Sequence, residues 1–80
     1  MKYPLVLVIW DDAVSGHGWE AIQDIDSKPH EIHTVGYMVK QTKEAVTLVM
    51  SLDHENDYQN CTFVVPKGMI KEIKKLKIVK

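Results

Sequence analysis

The chain contains no arginine; all ten of its basic side chains are lysines. Arginine supplies the planar fork that reads guanine or phosphate through two bonds. Its absence weighs against sequence-specific nucleic-acid recognition. Cysteine is scarce as well. Cys61 stands alone, so no internal disulfide can reinforce the fold. No zinc-type spacing of Cys and His replaces one. Set in an apolar run, Cys61 is expected to be a small buried hydrophobe, and a free thiol suits a reducing compartment. Long apolar runs are missing too. The opening MKYPLVLVIWDD has one positive charge, a short apolar stretch and no small-residue cleavage site, unlike a signal peptide. Nothing approaches the ~18–20 apolar residues that span a bilayer. The expectation is a cytoplasmic protein without membrane contact.

Eighty residues allow one domain. A chain this short buries only about 60–65% of its unfolded surface, which leaves a single core marginal. With neither disulfide nor zinc available, self-association is the remaining common reinforcement, so a homo-oligomer is expected. The net charge of −1 hides an asymmetry. Residues 1–65 hold four lysines (Lys2, Lys28, Lys40 and Lys43) against ten acids, whereas residues 66–80 hold six lysines against Glu72 alone.

What the chain does have is β-branched alternation. Lys2–Ile9 reads as a strand with Leu5, Leu7 and Ile9 on one face and Val6, Val8 and Trp10 on the other. Both faces are apolar, so both should be covered. Asp11–Gly18 is a loop, and Trp19–Ile25 carries the spacing of a short helix. Pro29 ends that segment. Glu31–Gln41 is a second strand, with Gly36 marking a bend or a close backbone approach. Gln41–Glu44 turns into Ala45–Leu52, whose inward set is Val46, Leu48, Met50 and Leu52. Asp53–Asn60 is a polar loop before the strand Cys61–Val65. Pro66–Met69 suggests one 3₁₀ turn, and Ile70 to about Leu76 suggests a last strand that closes the cylinder and hides an edge. Met38, Met50 and Met69 are expected as core filler. The fold class is therefore all-β: a small SH3/Sm-like barrel of about five strands.

Chemistry-bearing groups are few. Trp10, Asp12, Ser15 and Trp19, with Lys67 from the later turn, could form a stacking pocket for a nucleotide. The competing reading makes the indoles covers for the barrel's open end and gives Asp12 and Ser15 a loop-tying role. His30 and His33 would point to opposite faces of a strand, and Asp53-His54-Glu55 lacks a partner set, so no metal site is expected. Ser15, His17 and Asp12 could be drawn as a triad, but no nucleophile elbow accompanies them. No cofactor and no enzymatic activity are expected. Lys67, Lys71, Lys74, Lys75, Lys77 and Lys80 suit either an edge-protecting face or a phosphate-binding one.

The segments VIWDDAVSGHGW, HTVGYMVKQT, TLVMSLD and FVVPKGMIKEIKKL resemble a family of small uncharacterised proteins of tailed phages and prophages. The resemblance rests on Trp10, Asp12, Ala13, Ser15, Trp19, Val35, Gly36, Tyr37, Val65, Pro66, Gly68 and Met69. It implies a phage origin and no particular activity. The order of strands and the Pro-Lys-Gly turn are also similar to SH3-type and Sm-like barrels, which implies ring assembly and RNA binding; the asparagine-bearing loop pattern of Sm proteins is missing. Together these readings lead to a non-enzymatic, phage-encoded binding protein in the infected bacterial cytoplasm. It would antagonise a host defence by binding a host protein or sequestering a nucleotide signal. The alternatives are an Sm-like nucleic-acid binder that uses the lysine-rich last strand, or a structural component of phage assembly.

Overall fold

The computed structural model describes residues 2–79. Five strands are present among them: β1 (Leu5–Asp12), β2 (His30–Gln41), β3 (Ala45–Asp53), β4 (Tyr58–Pro66) and β5 (Ile70–Lys75). They form one antiparallel sheet in the order β4-β3-β2-β1-β5. The all-β class and the strand number are as expected. Closure is not: β4 and β5 are the two edges of the sheet, and no ladder joins them. The reason lies in β5, which exposes Lys71, Lys74 and Lys75 and offers only Ile70 and Ile73 towards the interior. A strand so rich in lysine blocks pairing on its free side.

The sheet curls without closing because β2 divides its pairing. Its first half pairs with β1, from Asp12↔His30 to Leu5↔Tyr37. Its second half pairs with β3, from Tyr37↔Val49 to Gln41↔Val46, with a bulge between Met38 and Lys40. Tyr37 belongs to both ladders. The bend falls at Gly36, where a Cβ would lie 3.0 Å from the Val49 carbonyl oxygen and 3.2 Å from Leu48 Cβ. Glycine is required there by close approach of the backbone.

Curling brings the inner residues of distant strands together. Val6, Val8 and Trp10 from β1 pack with Val46 and Leu48 from β3 and with Val65 from β4. Ile32, Met38, Ile70 and Ile73 flank them. Trp10 and Phe63 meet across the curl, with centroids 5.6 Å apart. The other face of β1 is only half covered. Across the ladders Leu7 lies between Val35 and Lys74, and Ile9 between His33 and Glu72. Long charged side chains shield such positions with their stems.

Several local expectations are corrected. The first strand runs to Asp12, not Ile9. Trp19–Ile25 is not a helix; one 3₁₀ turn, Ile22–Asp24, stands in its place, since no core face is near enough to hold a longer one. β4 starts at Tyr58, so the polar loop between β3 and β4 is a tight turn on a long hairpin. Met50 is 72% exposed, and Val49 is buried in its stead. Met69 is exposed as well, while Met38 does pack against the core. Cys61 is exposed rather than buried, and it sits at φ 66°. The second 3₁₀ turn, Lys67–Met69, and β5 fall within a residue of expectation. Lys80 lies outside the described residues.

The radius of gyration is 16.4 Å, with extents of 55 × 25 × 24 Å. A compact domain of this length would have roughly 12 Å. Residues 13–29 account for part of the excess, because every one of them is exposed.

Candidate binding site

The five residues singled out from the sequence do not converge on one pocket. Trp10 is only 8% exposed and belongs to the core. Its indole N–H donates to Thr34 Oγ1 at 2.9 Å, so the polar edge of the ring is already satisfied. Asp12 ends β1, half-exposed and opposite His30. Ser15 lies in the loop and lines a recess of about 380 Å³ with Val14, Glu20, Asp24, Asp26 and Lys28. Trp19 is fully exposed. Lys67 opens the second 3₁₀ turn, and its backbone N–H donates to the Glu44 carbonyl at 2.8 Å. A buried indole and a fully exposed one cannot sandwich a base. The covering role expected of Trp10 is met inside the curl, not at an open barrel end.

What the loop presents is apolar surface. Val14, Trp19, Ile22 and Ile25 all face solvent, and the recess that Val14 and Ile25 line also carries Glu20, Asp24 and Asp26 together with Lys28 and His30. The loop is anchored where β1 and β2 pair at Asp12↔His30, and nothing in it is buried.

A second concave feature lies where β2 parts from β3. Beyond Tyr37↔Val49 the two strands share no ladder, and beside that point residues of β2, β3 and β4 line a wedge-shaped recess of about 230 Å³. Its walls include Thr34, Val35, Val49, Met50, Cys61 and Phe63, none of them charged. The ladder from β3 to β4 runs in constant register but skips Met50 and Cys61. The left-handed backbone at Cys61 sits at that gap. Sequence reading missed the wedge because it placed Met50 and Cys61 inside. Gly36 was the available signal, marking where β2 must bend.

Charged pairs sit on the surface. Lys71 Nζ lies 2.7 Å from Glu31 Oε1, linking β5 to β2 across the end of β1. His33 Nε2 is 3.0 Å from the other Glu31 oxygen. Lys71 first, then His33, holds the Glu31 carboxyl below its ordinary range, and Glu31 in turn raises Lys71. At the hairpin tip the Tyr3 hydroxyl donates to Asp57 Oδ1 at 3.0 Å, and Lys2 Nζ lies 3.3 Å away. Both lower Asp57, with Tyr3 the larger cause. His54 meets Tyr37 edge-on at 5.7 Å. The hairpin tip thus folds back over the outer face.

No protein-family model, curated protein or solved structure matches this chain. Among the described residues no three His, Cys, Asp or Glu side chains are grouped to hold a metal ion, and no helix is long and apolar enough to cross a membrane.

Proposed function

We propose that this chain is a non-enzymatic, phage-encoded binding protein of the bacterial cytoplasm that antagonises a host function by docking on a host protein. The carrying observation is the loop 13–29, which holds Trp19 and Ile22 almost wholly in solvent. A tryptophan buries about 150–250 Å² when it finds a pocket, worth about 4–6 kcal/mol before ordering costs. Exposed apolar clusters of this kind mark protein-interaction surfaces, and tryptophan is a favoured hot-spot residue. Within the loop Glu20, Asp24 and Asp26 outnumber Lys28, which favours a target with an apolar pocket in a basic rim. The sequestering version loses support because Trp10 is committed to the core.

The lysine-rich edge supports nucleic-acid binding less well. Lys71 is paired with Glu31, and Lys74 stands 3.9 Å from Glu72, so part of that charge is already answered within the chain.

The test is capture of the target from a bacterial host, its identification, and rebinding of the purified pair. Trp19→Ala should weaken the purified complex about 30-fold, the equivalent of a hot-spot loss of about 2 kcal/mol. Undiminished binding by that variant would overturn the reading. A nucleotide that raises the melting temperature of the free chain would restore the sequestering one.

A further inference from the structure

We propose that the free edge of β4 pairs with the same edge of a second copy, antiparallel about a two-fold axis at Thr62, so that the sheets of two chains become one. β4 has one strand neighbour, β3, and its other edge borders no strand among the described residues. The unpaired N–H and C=O groups of such an edge are a template for another strand. Eight of the nine residues of β4 are exposed, Val65 alone being buried.

The two edges of the sheet differ in charge. β5 carries Lys71, Glu72, Lys74 and Lys75 among its six residues. β4 carries no charged side chain from Tyr58 to Pro66. Paired with itself, β5 would set lysines beside lysines, which opposes association. β4 paired with itself meets no like charge. Asp57 stands immediately before it and Lys67 immediately after it.

Those two charges set the register. Antiparallel pairing about an axis normal to the sheet always sets one residue opposite its own copy. With Thr62 in that place, Asp57 falls level with Lys67 of the second copy, and symmetry repeats the pair at the other end. Moving the axis by one residue would part each pair by two positions, about 7 Å along the strand. Both contacts that the Asp57 carboxyl makes among the described residues, from the Tyr3 hydroxyl and Lys2 Nζ, use Oδ1, so its second oxygen can take the incoming lysine.

The same register suits the side chains. Odd-numbered residues of β4 share the core face, since Phe63 lies opposite Leu48 and Val65 opposite Val46. On that face Phe63 comes beside Cys61 of the second copy. On the other face Tyr58 meets Pro66, Asn60 meets Val64, and Thr62 meets itself, a pair that sheets favour. Tyr58, Phe63 and Val64, all exposed in one copy, gain cover. The left-handed residue Cys61 interrupts the ladder to β3 without shifting it, since Val49↔Thr62 and Ser51↔Asn60 keep one register. The free edge therefore continues past it. Pro66, which lacks an N–H, lies at the strand's end, where a missing donor disturbs pairing least.

The test is solution mass by light scattering. It should rise from one chain to two, and no further, as concentration climbs to about 1 mM. Thr62→Lys sets two ammonium groups face to face at the axis, from an exposed position. That variant should stay at one chain, with unchanged far-ultraviolet circular dichroism. Asp57→Lys and Lys67→Asp each bring like charges level at both ends, and each should dimerise about tenfold less tightly. Mixed in equal amounts, these two variants should pair with each other as tightly as the parent pairs with itself, because every end again joins a lysine to an aspartate. A parent mass that stays at one chain, or climbs beyond two, would overturn the proposal. So would parental dimerisation by Thr62→Lys, or a mixture that recovers no affinity. Trp19 lies outside this pairing, so Trp19→Ala should leave the mass curve unchanged and the two readings fail separately.

Discussion

Trp10 reaches across the first ladder to Thr34, its indole N–H 2.9 Å from the hydroxyl oxygen, and on its other side it meets Phe63 of β4. One side chain thus ties β1 to β2 by a hydrogen bond and to β4 by contact. Trp10→Ala should cost about 3–5 kcal/mol, and Trp10→Phe about 1–2 kcal/mol, through lost volume and an unanswered Thr34 hydroxyl. Urea unfolding checks both. Trp19→Ala, by contrast, should stay within about 0.5 kcal/mol of the parent. Acrylamide should quench Trp19 readily in the free chain and Trp10 poorly.

Gly36 sits where β2 changes partners. A methyl group there would press on the Val49 carbonyl, which backbone cannot yield cheaply. Gly36→Ala should destabilise by about 1–3 kcal/mol, read as a lower urea midpoint at unchanged slope.

Cys61 is held at φ 66°, a region that side chains with a Cβ enter at a cost of roughly 1–2 kcal/mol. Cys61→Gly should relieve that strain and raise stability by about 0.5–1 kcal/mol, the gain being trimmed by glycine's freedom in the unfolded chain. A melting temperature below the parent's would contradict the assignment.

The Glu31–Lys71 pair makes stability depend on pH at both ends of the scale. Glu31 is depressed on folding, so its contribution is present above its unfolded value and is lost as pH falls through the folded one. Lys71 is raised, so its contribution is present below its unfolded value and is lost as pH climbs through the folded one. Both groups are solvent-exposed, so the effect is small and fades with salt. Lys71→Met should move the Glu31 titration, followed by nuclear magnetic resonance, up towards the ordinary carboxylate range. Glu31→Gln should flatten the acid limb of the stability curve.

Particular residues show how far sequence reading reached. The alternation from Leu5 to Trp10 and the Pro66–Met69 turn were legible because local backbone preference and period-two burial act within a few residues. Gly36 announced a bend, but not which strand would crowd it. Met50 and Cys61 read as interior by alternation and yet are exposed, since β2 turns away before it can cover them. The Trp19 segment reads as a helix by spacing, but a helix that short needs a surface to dock on, and none lies beneath it.

The order of apolar and polar residues along the chain was enough to determine a five-stranded antiparallel sheet, because alternation and turn chemistry are local. Whether that sheet would close, which of two tryptophans would enter the core, and where a gap would open between strands were decided by tertiary structure. Those outcomes depend on one strand dividing its hydrogen bonds between two neighbours, a balance of long-range contacts that no short window of sequence contains.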